Sequence, residues 1–150
     1  MWNAYTDAYV KEDWNWIEKN FKRSIHLWIL SILGGAIMLL LANSFYYLWV
    51  GNKVLVPLSV SMSVLAYVCF FNLNNCATYL INGLNKIRIQ IITSITITVI
   101  YFVVVIFVGK RHGIEGIVLA MAVSYALMAT VHLYQCNLLI KCKAKGIWNK

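Results

Sequence analysis

The sequence IITSITITVIYFVVVIFV, at residues 91–108, decides the fold of this chain. Its many β-branched residues would favour a β-strand in water. In the hydrocarbon core of a membrane, however, an unpaired strand leaves its backbone polar groups without partners, at several kcal/mol each, whereas a helix satisfies them internally. The charge-free run around it extends from residue 89 to 109, and about 20 residues of helix cross a bilayer. We therefore predict a transmembrane helix here.

The rest of the chain has the same character. Hydrophobic residues make up 61% of it and charged residues 12%, against about 45–50% and about 25% in an average soluble domain. Only six charged side chains lie between residues 25 and 140, and they separate charge-free runs at 24–52, 54–85, 89–109 and 116–140. We predict an all-α integral membrane protein with a four-span membrane domain over residues 25–140, its spans at about 25–50, 54–81, 91–108 and 116–140.

The basic side chains predict how these spans are oriented. Ten fall on one side of the predicted membrane: Lys11, Lys19, Lys22, Arg23, Lys86, Arg88, Lys141, Lys143, Lys145 and Lys150. Three fall on the other: Lys53, Lys110 and Arg111. Because cytoplasmic loops carry the excess of Lys and Arg, we expect both termini in the cytoplasm. The net charge of +8 does not indicate nucleic-acid binding, since the basic residues lie at the ends of spans rather than on one face.

The two ends of the chain differ from its middle. In the cytoplasmic segment 1–24, Val10, Trp14, Ile17 and Phe21 follow the spacing of one helical face, which predicts an amphipathic helix. Such a helix either lies in the membrane interface or docks on a part of the protein that is missing from this chain. Residues 141–150 form a basic cytoplasmic tail. The single proline and the lack of a Ser/Gly-rich stretch argue against a linker and a second domain.

Polar side chains gather in the cytoplasmic half of the predicted spans. Asn72, Asn75 and Tyr79 share one face of the second span, and Tyr125, His132 and Gln135 share one face of the fourth. His132 lies about 12 Å from the inner edge of the membrane, at 1.5 Å per residue. Such side chains either hydrogen-bond between helices or line a wet, inward-facing vestibule.

The sequence offers little for catalysis. The predicted spans contain no Asp or Glu, and the cysteines at 69, 76, 136 and 142 form neither a CxxC pair nor a zinc-binding spacing. A nucleophile–base pair is also lacking. We therefore expect a protein that is not an enzyme and that carries no metal and no cofactor.

Several motifs together carry a resemblance to a known family. They are NAYTDAY at 3–9, LWVG at 48–51, NGLNKIRIQ at 82–90, GIEG at 113–116 and KAKGIWNK at 143–150. Over nearly its whole length the chain resembles the C-terminal third of Wzx-type polysaccharide or O-antigen flippases, within the multidrug/oligosaccharidyl-lipid/polysaccharide exporter superfamily. The most specific part is the NGxxKIRxQ loop taken with the KGIWNK tail.

This resemblance implies a fold and an activity. Flippases of this type consist of two six-helix bundles around a central cavity. They move undecaprenyl-diphosphate-linked oligosaccharide across the bacterial inner membrane by alternating access. The chain would supply the last four helices of the second bundle, so the missing N-terminal bundle is its expected partner, alongside membrane lipid. Met1 matches an internal position, which implies a truncated reading frame, a fragment or half of a split transporter.

The resemblance also assigns roles to the polar residues. Lys86 and Arg88 would contact the anionic diphosphate at the cytoplasmic entrance, because paired cations suit phosphate; alternatively they anchor the loop on the positive side of the membrane. Asn72, Asn75 and Tyr79 would bond sugar hydroxyls in the vestibule. His132 is either a hydrogen-bonded structural residue or one that takes part in proton coupling or contacts the ligand.

Two other functions remain open. The chain is alternatively a non-transporting remnant or a membrane interaction module. A third possibility is a small four-helix homodimer that flips a prenyl-linked sugar, since its stripes of small residues permit close helix–helix contact.

Overall fold

A computed structural model describes residues 1–51 and 56–150, with the backbone alone at Val50. Over these residues the chain is helical and has no β-strand, which confirms the all-α prediction. The elements are α1 (Trp2–Val10), α2 (Trp14–Val50), α3 (Leu58–Gly83), α4 (Arg88–Ile140) and a short 3-10 turn in the tail (Gly146–Asn149). Lys53 and the first two residues of the predicted second span lie outside the described residues.

Three of the helices, α2, α3 and α4, are long and apolar enough to cross a membrane. This supports the prediction of a membrane protein with transmembrane helices. Large apolar side chains are exposed along most of α2 and along the first part of α4, such as Leu40, Leu48, Val99 and Phe107. An apolar surface of this extent is unusual for a monomer in water, but it suits contact with lipid.

The chain reverses direction within α4, at Gly113. The φ of Gly113 is 57° and its ψ is −144°, a backbone conformation that glycine adopts far more readily than other residues. A methyl group placed on Gly109 would lie 3.2 Å from the side chain of Ile117, although residues eight apart in a straight helix are about 12 Å apart. Residues 88–112 and 114–140 therefore fold back on each other, and they contain the predicted third and fourth spans.

The N-terminal segment forms two helices rather than one. The helix α1 ends at Val10, and α2 begins at Trp14. Asp13 is the N-cap of α2, because its carboxylate accepts a hydrogen bond from the Trp16 N–H at 2.9 Å. Glu12, between them, has a φ of 56°. The helical face predicted through Val10 and Trp14 is thus divided by a turn, and α2 continues without interruption from residue 14 into the predicted first span.

The buried side chains concentrate at one end of the molecule, which we call the packed end. There α1 and the start of α2 meet the C-terminal ends of α3 and α4. The buried cluster consists of Tyr5, Ala8, Ile17, Ala77, Leu80, Ile81, Leu84, Cys136 and Leu139. At the packed end, α1, the start of α2, the end of α3 and the end of α4 therefore pack against one another.

Close helix contacts occur at two glycines. On α2, Gly35 lies so near Leu65 of α3 that an added methyl group would meet the leucine side chain at 2.5 Å, in keeping with the small Ser31/Gly35 pair in the sequence. On α3, Gly83 lies under α1, where an added methyl group would overlap the Tyr5 Cβ atom. The Thr6 hydroxyl donates a hydrogen bond to the Gly83 carbonyl oxygen at 3.0 Å, which fixes α1 across the end of α3.

We expect the substitution Gly83→Ala to displace α1 and to destabilise the protein by about 1–3 kcal/mol, because the new methyl group has no space against Tyr5. The measurement is the thermal unfolding midpoint of the purified chain in mild detergent. Gly34→Ala in α2 is the matched control, since nothing lies within 4 Å of the added methyl group there. Equal midpoints for the two variants would contradict the docking of α1 on Gly83.

Candidate polar site at the packed end

A buried histidine–asparagine pair joins α4 to α3. The Nδ1 atom of His132 lies 2.8 Å from the Oδ1 atom of Asn74, and both side chains are buried. Because an amide oxygen only accepts, Nδ1 carries the proton and donates it. The other ring nitrogen, Nε2, has no partner within the described residues. His132 therefore makes the structural hydrogen bond that was one of its two predicted roles, and keeps one free acceptor.

One turn further along α4, Gln135 connects two other segments. Its fully buried Nε2 atom donates to the main-chain oxygen of Lys86 at 2.9 Å and to that of Trp148 at 3.3 Å. The indole ring of Trp148 also packs edge-on against Tyr134, with ring centroids 5.2 Å apart. Gln135 thus fastens both the α3–α4 loop and the C-terminal tail to the end of α4.

Weaker polar contacts complete the packed end. The Cys136 thiol lies 3.5 Å from the Ala77 carbonyl oxygen, and the Cys76 thiol lies 3.7 Å from the Ser24 carbonyl oxygen. All four cysteines carry free thiols. Burial raises the pKa of the Tyr5 phenol, so this hydroxyl stays neutral at physiological pH. Across residues 1–51 and 56–150, no group of three or more His, Cys, Asp or Glu side chains is placed to hold a metal ion.

The predicted face of Asn72, Asn75 and Tyr79 lies apart from this cluster. Other positions of α3 contact the neighbouring helices: the Trp28 indole N–H of α2 donates to the main-chain oxygen of Cys69 at 2.8 Å, and Asn74 faces α4. The side chains of Asn72 and Asn75 are half-buried, and neither hydrogen-bonds to any described residue; Tyr79 is exposed. The structure therefore keeps these three residues together and separates them from His132.

The two predicted phosphate-binding cations are also separated. Lys86 is half-buried and lines a cavity of about 180 Å³ between α1, α2, α4 and the tail. Arg88 is exposed and lines a different space, an open groove of about 900 Å³ that it shares with Lys150. The two side chains therefore do not converge on one pocket, as a joint diphosphate contact would require.

Sequence reasoning missed Asn74 as a partner of His132, and it missed the double hydrogen bond of Gln135. The spacing along α3 indicates which asparagines share a face, but it does not indicate which face meets α4. Gln135 lies three residues after His132 on the same helical face. This spacing indicates that Gln135 faces the same neighbours as His132, but it does not identify its hydrogen-bond partners.

The arrangement offers hydrogen-bonding amides and cations. It is suited to binding polar or anionic groups. No family model, curated protein or solved structure matches this chain. The flippase resemblance therefore rests on the motifs alone, and the expectation that the chain is not an enzyme stays a prediction.

We expect Asn74→Leu to lower the thermal unfolding midpoint, because His132 would keep a buried N–H without an acceptor, at a cost of about 1–3 kcal/mol. The double variant with His132→Leu should lose less than the sum of the two single changes. Asn75→Leu is the control and should not lower the midpoint, because the Asn75 amide hydrogen-bonds to no described residue. If the Asn74 and Asn75 variants had the same unfolding midpoint, the His132–Asn74 hydrogen bond would not contribute to the stability of the protein.

Proposed function

We propose that this chain is part of a lipid-linked oligosaccharide flippase of the bacterial inner membrane and is incomplete alone. It would carry undecaprenyl-diphosphate-linked glycan across the membrane by alternating access. In this proposal α2, α3 and the two halves of α4 are the four spans of the membrane domain and belong to a six-helix bundle. Residues 88–112 and 114–140 each exceed the about 20 residues needed to cross a bilayer.

The observation that carries the proposal is the unpartnered polar face of α3. Asn72 and Asn75 interrupt a helix that is otherwise apolar enough to cross a membrane, and neither amide is satisfied by the described residues. An amide facing hydrocarbon without a hydrogen bond costs several kcal/mol. The face therefore requires a polar neighbour, and a cavity completed by a second bundle supplies one. Amides, with two donors and one acceptor oxygen, match sugar hydroxyls.

The location of the cations agrees with this proposal. In the proposed orientation the packed end faces the cytoplasm, where the glycan lipid is made available to the transporter. Lys86 lies at that end, beside the cavity of about 180 Å³, and its ammonium group suits a diphosphate. Since Arg88 faces elsewhere, the proposal assigns the diphosphate contact to Lys86 alone.

The hydrogen bonds at the packed end also bear on the transport cycle. Gln135 holds the α3–α4 loop and the tail to α4, and His132 holds α4 to α3. These elements would consequently move as one body against the other bundle. Rocking of one bundle against another around a fixed site is the usual form of alternating access.

The test is to express this chain together with the N-terminal bundle of a Wzx-type flippase in a flippase-null bacterial strain, and to measure surface polysaccharide. We expect the native chain to restore it. Asn75→Leu should abolish the restoration without changing the amount of chain in the membrane, because it removes a glycan contact and no internal one. Val68→Leu is the control, since Val68 is a partly exposed, apolar position on the same helix.

Failure of the native chain to restore polysaccharide at normal membrane levels would contradict the proposal and favour a remnant or an interaction module. Full restoration by the Asn75 variant would show that Asn75 is not needed for transport, and would contradict the role proposed for the polar face of α3.

A further inference from the structure

A groove at the packed end combines apolar walls with two cations. It has a volume of about 900 Å³ and is lined by Ile87, Arg88, Ile91, Ile92, Ile147 and Lys150. The four isoleucines make its walls apolar, and Arg88 and Lys150 are its charged residues. The groove begins where α4 begins, at the boundary between a loop and a long apolar helix.

A specific set of main-chain contacts places Arg88 beside Lys150. The backbone N–H of Arg88 donates to the main-chain oxygen of Lys150 at 3.1 Å, which places the end of the tail beside the start of α4. Two residues before each of these positions, the main-chain oxygens of Lys86 and Trp148 both accept hydrogen bonds from Gln135. These bonds hold the loop and the tail side by side. The backbone that forms the groove is therefore part of the folded packed end.

Neither cation has an acidic partner in the described part of the chain, where the one ion pair joins Lys22 and Glu18. The sequence has five acids, of which four fall within residues 7–18 and the fifth is Glu115. Glu115 lies beside the turn at Gly113, at the far end from the groove, and accepts a hydrogen bond from Ser59 at 2.9 Å. The side chains of Arg88 and Lys150 are exposed, so both are accessible to an external anion.

We propose that this groove binds an anionic glycerophospholipid, with the phosphate between Arg88 and Lys150 and an acyl chain along the isoleucines. A guanidinium group matches the geometry of phosphate oxygens, and an ammonium group adds a second positive charge. A groove at the loop–helix boundary lies at headgroup level when α4 spans the membrane. The lipid would clamp the tail to α4. This inference rests on the membrane location and not on transport, so it holds or fails independently of the flippase proposal.

The experiment is native mass spectrometry of the purified full chain with phosphatidylglycerol or phosphatidylcholine of identical acyl chains. We expect one phosphatidylglycerol to be retained preferentially. Removing both cations, in Arg88→Gln/Lys150→Gln, should weaken its retention by about tenfold or more, because each basic side chain near a lipid surface contributes measurably to anionic lipid binding. The matched control Lys110→Gln/Arg111→Gln removes the same two charges beside the Gly113 turn and should retain the lipid.

A second pair of variants tests the apolar wall. Ile92→Asn places an amide in the groove and should reduce phosphatidylglycerol retention, whereas Ile95→Asn, on an exposed side chain outside the groove, should not. Inorganic phosphate alone, at millimolar concentration, should not displace the lipid. Thermal unfolding of each variant provides a second readout: phosphatidylglycerol should raise the midpoint of the native chain and of both controls, but not of the groove variants.

Four results would overturn the proposal. They are equal retention of the two lipids, undiminished retention by the Arg88/Lys150 variant, equal loss in the Lys110/Arg111 control, and displacement of the lipid by free phosphate.

Discussion

The reversal of the chain at Gly113 is the constraint on which the packed end depends. As a straight helix, the 53 residues of α4 would extend about 80 Å, and the two ends of α4 would lie on opposite sides of a membrane. Because Gly113 adopts a positive φ, the helix folds back and Gln135 comes within hydrogen-bonding distance of Lys86. The same reversal lays the second half of α4 against α3 and brings His132 to Asn74. The reversal at Gly113 is thus a condition for the hydrogen bonds of both His132 and Gln135 at the packed end.

The resulting molecule is asymmetric along its length. At the packed end the Asn74 Oδ1 and Gln135 Nε2 atoms are hydrogen-bonded, the thiol of Cys136 is buried, and α1 packs over the end of α3. Toward the Gly113 turn, α2 and the first half of α4 expose apolar side chains on most of their surface. Such a distribution agrees with a bilayer, since lipid solvates the apolar length while the loops and cations remain near headgroups. It also leaves one face of α3 polar and unpaired, which is the feature that the flippase proposal interprets.

Much of the helical architecture follows from the sequence, because the physical rules act locally. The charge-free run at 91–108 has no satisfactory backbone arrangement in hydrocarbon other than a helix. Gly113 marks the turn because few other residues tolerate its conformation, and Gly83 ends α3 where α1 crosses it.

The site was less predictable, because it depends on which faces pack together. Spacing groups Asn72 with Asn75, but only the placement of α4 selects Asn74 as the partner of His132. The hydrogen bond between the Arg88 N–H and the Lys150 main-chain oxygen involves a tail without a strong helical pattern. The periodicity of the sequence therefore does not predict this contact.

The most direct test of this account is the distance between the two ends of α4 in a membrane. Spin labels are attached at Ile87→Cys and Asn137→Cys, in a chain whose native cysteines are replaced by alanine, and their separation is measured by pulsed electron–electron double resonance in vesicles. The fold described here predicts a separation within about 25 Å, the width of two neighbouring helices. A separation of about 75 Å would show that α4 is straight, and would contradict both the packed end and the sites built on it.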